Sequence, residues 1–110
     1  MTEHVRVEVT AGSRAGAASL AESVVAARLA ACAQVSGPIT SSYRWEGAVR
    51  TDEEWLLVCK TAADRLDDLV AHVRAAHPYD VPEIVAVPVA GGNPDYLAWV
   101  TAETRTEGAR

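Results

Sequence analysis

Residues 35–60 read VSGPITSSYRWEGAVRTDEEWLLVCK, and this stretch decides the fold. Ile39, Tyr43 and Trp45 recur in phase with period two, which marks a strand from Val35 to Trp45. Gly37-Pro38 interrupts it in the manner of a bulge or an edge kink. Glu46-Gly47 supplies a hairpin turn, and Val49–Lys60 is the returning strand. The far end of that strand departs from the usual alternation. Trp55, Leu57 and Cys59 alternate with Leu56 and Val58, so both faces are apolar. A strand with one wet face carries polar residues at every second position. This one is expected to be covered twice.

The pattern extends outward on both sides of the hairpin. Upstream, Val5, Val7 and Val9 alternate with Arg6, Glu8 and Thr10 as a half-buried strand, closed by Ala11-Gly12-Ser13. Ala15–Ala31 is rich in the helix formers Ala, Leu, Arg and Glu. Leu20, Val24, Ala27 and Ala31 form one stripe there, with Ala21, Val25, Leu29 and Cys32 beside it. So wide an apolar face predicts a helix that packs on a sheet and touches something more.

Downstream, Thr61-Ala-Ala-Asp64 fits a capping box at a helix start. Leu66, Leu69, Val70 and Val73 give that helix one apolar face, and Pro78 stops it. Ile84–Val89 is a short, nearly continuous apolar run, read as a buried strand. Asn93 then caps a last helix with Pro94 at its first position, and Tyr96, Leu97, Trp99 and Val100 form its apolar side.

The order β-α-β-β-α-β with a C-terminal helix predicts an α+β, ferredoxin-like split-βαβ domain: one antiparallel sheet carrying two helices on one face. The chain is read as a single domain, residues 1–110, with 1–4 and 105–110 frayed. Two things could cover the spare sheet face: the C-terminal helix or a long loop, or other subunits. The doubly apolar strands favour an oligomer, while Arg6, Glu8 and Thr10 count against complete coverage.

A net charge of −5 speaks against nucleic acid, whose phosphates need clustered Lys and Arg. No run approaches the roughly 20 apolar residues of a membrane span, and no basic-then-apolar leader opens the sequence. The two cysteines, Cys32 and Cys59, form no CxxC pair, which predicts a reducing compartment, the cytoplasm.

Copper or zinc requires converging Cys, His or Met, and the candidates are His4, His72, His77, Cys32, Cys59 and Met1. His72 and His77 lie five apart and do not share a helix face. His77 falls on the apolar side near the helix end, where a hydrogen-bonded cap is the competing role. Cys32, expected at the end of the first helix, and Cys59, in a central strand, are read as packing residues. Lys60, Glu83, His77 and Tyr79 could form a polar pocket walled by Tyr43, Trp45, Tyr96 and Trp99. Lys60 continues the Leu56–Val58 face toward a subunit contact, where it is expected to pair with Glu83. That pair is either structural or the mouth of a ligand site. No HExxH, P-loop or GxGxxG supports an enzyme.

Five strings, in order, resemble the CutA divalent-ion tolerance family. They are Ala27-Arg-Leu-Ala-Ala-Cys-Ala33, Ser42-Tyr-Arg-Trp-Glu-Gly47, Val58-Cys-Lys-Thr61, His77-Pro-Tyr-Asp-Val-Pro-Glu83 and Gly92-Asn-Pro-Asp-Tyr-Leu-Ala-Trp99. The resemblance implies a ferredoxin-like protomer, a tight homotrimer similar to the PII signalling proteins, and a binding or response role instead of catalysis. It also implies a link to copper and other divalent metals. The family's metal ligands would fall on Val9, Ala76 and His77, of which only His77 has a donor side chain, so His77 is the expected ligand for Cu2+ or another divalent metal. The alternative is a PII-like sensor that binds a small anionic metabolite in the inter-subunit cleft, with Lys60 as the cation. A hydrolase or isomerase using His77 and Glu83 is the third reading.

Overall fold

The structure is a computed structural model that describes residues 3–105. Strand β1 (His4–Ala11) leads into helix α1 (Arg14–Ala26), then the long strands β2 (Cys32–Trp45) and β3 (Ala48–Ala62). A 3-10 turn at Ala63–Arg65 opens helix α2 (Leu66–Ala76), followed by β4 (Ile84–Pro88) and helix α3 (Pro94–Glu103). The four strands form one antiparallel sheet in the order β2-β3-β1-β4. This is the expected split-βαβ arrangement with its extra C-terminal helix.

Strand phase sorts the side chains onto two faces. Val7 pairs with Cys59 and Val9 with Leu57, and all four are completely buried beneath the helices. Leu20 and Val24 of α1 and Leu69 and Val73 of α2 close this core from above. On the other face Glu8 lies opposite Val58 and Val85, and Arg6 opposite Lys60 and Val87. Helix α3 packs on the β3 end of that face, burying Val100 and Thr104. His4 Nε2 meets Thr101 Oγ1 there at 2.8 Å. The C-terminal helix therefore covers part of the spare face. Val85 and Val87 of β4 stay 50% and 42% exposed, and Ile84 and Ala86 on its other side are only half-buried, so the expected buried strand is not fully covered within the protomer.

Local chemistry explains the boundaries. Ser13 Oγ accepts the Gly16 N–H at 3.0 Å and caps α1. That helix ends at Ala26, five residues before the expected stop, because Arg28 takes a left-handed backbone with φ 59°. Cys32 thus opens β2 and does not close α1. The expected capping box at Thr61–Asp64 is not formed: β3 runs through Ala62, and Thr61 points into the sheet as a fully buried residue with an unpartnered hydroxyl. Asn93 Oδ1 accepts the Asp95 N–H at 3.1 Å, so the predicted cap of α3 is present. Two residues expected in frayed ends are held: His4 pairs with Ala62, and Arg105 grips Asp64 at 2.8 Å. The remaining terminal positions, 1, 2 and 106–110, lie outside the described residues.

The Gly37-Pro38 bulge separates two parts of the hairpin. Register breaks between Ser36 and Ile39, and Gly37 sits at φ 148° with the Trp55 ring beneath it. Beyond this point β3 loses β1, whose pairing stops at Trp55. Residues 39–54 therefore continue as a two-stranded arm, closed by a turn with positive φ at Glu46 and Gly47. The molecule measures 48 × 27 × 22 Å, and its radius of gyration of 14.6 Å exceeds the about 13 Å of a compact chain this long. The arm accounts for that elongation.

Candidate functional site

The arm, the end of β1 and the turn after α2 enclose a cleft of about 580 Å3. Its arm wall follows from strand phase. Ile39, Ser41, Tyr43 and Trp45 pair with Glu54, Asp52, Arg50 and Ala48, and this face continues that of Leu56 and Val58. Tyr43 and Trp45 thereby line the cleft from one side. The Tyr43 hydroxyl donates to Asp52 Oδ2, and this bond first, with partial burial, raises the phenol pKa.

The opposite wall hangs on His77. Its Nε2–H donates to the Thr10 carbonyl at 2.7 Å, and its Nδ1 accepts the Tyr79 N–H at 3.1 Å. The ring is 7% exposed and lies 4.6 Å, centroid to centroid, from that of Tyr79. Two bonds of opposite sense fix the tautomer and pin the start of the 77–83 segment to β1. From that turn the Tyr79 hydroxyl donates to Glu54 Oε2 at 3.1 Å. Burial, then this hydrogen bond, pushes the Tyr79 phenol up to about 12. Gly12 makes room: a side chain there would begin 2.9 Å from the Tyr79 hydroxyl.

Glu54 is 8% exposed and sits where the arm joins the sheet. Glu83 enters the cleft just before β4, and its carboxyl pKa is raised by burial first and then by the charges of Glu54 and Glu8. Asp80 lines the same space, and among the described residues no Lys or Arg does. Among the described residues Asp52, Glu54, Asp80 and Glu83 enter no ion pair. The site is an acidic pocket with aromatic walls.

Of the residues anticipated for one cleft, Tyr43, Trp45, Tyr79 and Glu83 converge. Lys60 does not. It lies opposite Arg6 and Cys32, and its Nζ donates to Gln34 Oε1 at 3.0 Å. The expected Lys60–Glu83 pair is not formed within the protomer, because β1 runs between the two strands and Glu83 belongs to the opposite sheet end. Tyr96 and Trp99 also stand apart, on α3, with rings 5.7 Å from each other and Tyr96 beside Cys32. Among the described residues the nearest cation to this wall is Arg50, which lies opposite Tyr43 on the arm.

The expected metal position fares no better chemically. Val9 and Ala76 bring no donor, and both nitrogens of His77 are engaged in hydrogen bonds. Among the described residues no group of three or more His, Cys, Asp or Glu side chains is arranged to hold an ion. The residues do not fit a metal at His77. His72 is tied to Ser23 at 2.7 Å between the helices. Cys59 is buried, and burial pushes its thiol up to about 12, as expected for a packing residue.

Glu54, Asp52 and Gly12 were not among the anticipated residues. Counting back by twos from Leu56 places Glu54 and Asp52 on the Val58 face, so the signal was present in the phase. Nothing in the sequence indicates that Tyr79 passes over Gly12.

The fold and the cleft define a small split-βαβ protein with a projecting hairpin and an acidic, aromatic-walled cleft. Residues 5–103 match the family model described as CutA1 divalent ion tolerance protein, and the chain belongs to that family. It is 46% identical over 99 residues to protein CutA 1, chloroplastic, of Oryza sativa, covering 90% of this chain and 56% of the relative, little more than half its length. It is 45% identical to the divalent-cation tolerance protein CutA of Thermus thermophilus, over 89% of this chain and 95% of that one. The solved structure of the Thermus protein superposes with a TM-score of 0.90 at 43% identity, covering 93% of this chain and 99% of that one.

Proposed function

We propose that the protein is a trimeric, PII-like binding protein of divalent-cation tolerance, and that its cytoplasmic protomers complete one another's sheets. The observation that carries this reading is the arm at residues 39–54. An isolated two-stranded ribbon is marginal in water, and this one holds Tyr43, Trp45 and Val49 at 41%, 39% and 68% exposure. Val85 and Val87 on the open edge strand β4 offer an apolar surface of the kind such a ribbon needs. Two unlike surfaces, an arm and an edge, make a head-to-tail contact that closes into a ring. Unbridged Cys32 and Cys59 support a reducing compartment. No described helix is long and apolar enough to cross a membrane.

Metal response would then work without His77 as a ligand, its role being to pin the cleft wall. Sedimentation equilibrium should return three times the protomer mass at micromolar concentration, and a stable monomer defeats the trimer. Copper calorimetry on His77→Ala should give an affinity within about twofold of the parent but a lower melting temperature. A tenfold loss of copper affinity with unchanged melting restores His77 as a ligand.

A further inference from the structure

We propose that Thr2-Glu3-His4 forms a Cu2+ and Ni2+ site in the chain whose first residue is Thr2. A free amine two residues ahead of a histidine can wrap a metal in four nitrogens: the amine, the amides of Glu3 and His4, and the imidazole Nδ1. The chelate rings close only when histidine is the third residue and the first amine is free. Where Met1 is an initiator, it is removed ahead of small residues such as Thr2. Four nitrogens in a plane are the set that Cu2+ and Ni2+ prefer. Thr2 lies outside the described residues, and what it contributes is its α-amine, a property of any first residue. The inference goes beyond the trimeric reading and does not rest on it.

The fold holds His4 in the state such a site needs. Thr101 Oγ1 donates to the Leu97 carbonyl at 3.3 Å, so toward His4 it accepts, and Nε2 carries the proton of the 2.8 Å bond. Nδ1, the nitrogen that closes the chelate, keeps its lone pair, and among the described residues nothing bonds it. His77, by contrast, has both ring nitrogens engaged. A metal-bound histidine commonly gives its other N–H to a neighbouring oxygen, and Thr101 is that oxygen here. The backbone is anchored through its carbonyls: Ala63 N–H donates to Glu3 at 2.8 Å and Val89 N–H to His4 at 3.1 Å. His4 faces Ala62 as a pair whose ladder bonds lie to either side, and among the described residues its own N–H makes no return bond to Val89. That amide can therefore exchange its proton for a metal without breaking the sheet. Glu3, His4, Val89, Leu97 and Thr101 border a space of about 660 Å3, room for the terminus to fold back over the ring. It lies at the start of β1, about 20 Å along the strand from Thr10 and the acidic cleft. Only one side chain is required, so the lack of three converging donor side chains among the described residues does not bear on it.

The test is calorimetry and absorption spectroscopy on the full chain in its native assembly, prepared with Thr2 first and its terminus checked by mass. Cu2+ should bind at one site per chain and give a violet band, well to the blue of aqueous Cu2+. Binding should release two amide protons, and one more where the amine is still ammonium, read from heats in buffers of different ionisation enthalpy. Ni2+ should give a yellow, diamagnetic square-planar complex. Zn2+ does not displace amide protons and should bind at least about a hundredfold more weakly. His4→Ala and retention of Met1 should each weaken Cu2+ by about a hundredfold or more, while His77→Ala stays within twofold. If His4→Ala fails to fold, the chain retaining Met1 decides alone, since it alters no described residue. The same Cu2+ affinity and band with Met1 retained would overturn the proposal. So would full binding by His4→Ala, or a complex that keeps the band of aqueous Cu2+ and releases no amide protons. A trimer without this site would leave the assembly reading standing, and a monomer with it would leave this one.

Discussion

The sheet under the helices and the arm beyond Gly37 are built from the same two strands but held by different physics. Between Leu56 and Lys60, β3 has a partner on each edge and helices above, and Leu57 and Cys59 are completely buried. Between Ala48 and Glu54 it has one partner, and Val49 is 68% exposed. The first region is a core in its own right. The second is a surface that gains stability from whatever it touches, and it supplies one wall of the cleft. One chain can thus keep its fold and its recognition surface apart, with the join at Gly37, Glu54 and Trp55.

The largest effect should come from breaking the core side. Leu57→Ala removes a fully buried side chain and should cost about 2–5 kcal/mol in urea unfolding. Val49→Ala on the arm should stay within about 0.5 kcal/mol if water is its neighbour. A clearly larger loss at Val49 that depends on protein concentration would show the arm buried in the assembly. A Leu57→Ala cost below that of Val49→Ala would invert the comparison.

The join is the next target. Gly37 combines φ 148° with a position where a side chain would begin 2.6 Å from Trp55 Cδ1. Gly37→Ala should therefore cost about 1–3 kcal/mol through strain and a displaced indole. Indole fluorescence should move with it, because Trp55 is the ring that must give. If melting and emission are both unchanged, the join is softer than its geometry and the two regions are not rigidly coupled.

Most of the fold was legible because alternation and helical phase are local signals. Val5, Val7 and Val9 announced their strand, and Leu66, Leu69, Val70 and Val73 their helix. The failures came where tertiary structure overrode local chemistry. Thr61 looked like a cap, but β3 kept pairing with β1 and carried it into the sheet as a buried residue. Cys32 looked like a helix end because Ala-rich sequence does not reveal where Arg28 turns left-handed. At the site, Tyr43, Trp45, Tyr79 and Glu83 line one cleft of the protomer, whereas Lys60 lies elsewhere in it, beside Gln34. Its distance from Glu83 within the protomer depends on β1 lying between β3 and β4, and no local pattern encodes that order. Glu54 was overlooked because the acidic run Asp52-Glu53-Glu54 looks like a solvated part of the strand until the register shows Glu54 enclosed.

The smallest effect, and the sharpest probe of the cleft wall, is Glu83→Gln. Burial and the neighbouring charges of Glu54 and Glu8 raise the Glu83 pKa above its ordinary value of 4.5. A carboxyl whose folded pKa is raised holds its proton more tightly folded than unfolded. The stability it contributes is complete below the unfolded pKa and is lost as pH rises through the folded one. At neutral pH the charged Glu83 is therefore a small liability, reduced by its partial exposure to water. Glu83→Gln should raise the melting temperature slightly at pH 7, with the gain fading as pH falls toward 4. A variant less stable than the parent at pH 7 without ligand would mean that Glu83 already has a counter-charge in the assembly, and the arm side of the comparison would then be a closed interface and not an open cleft.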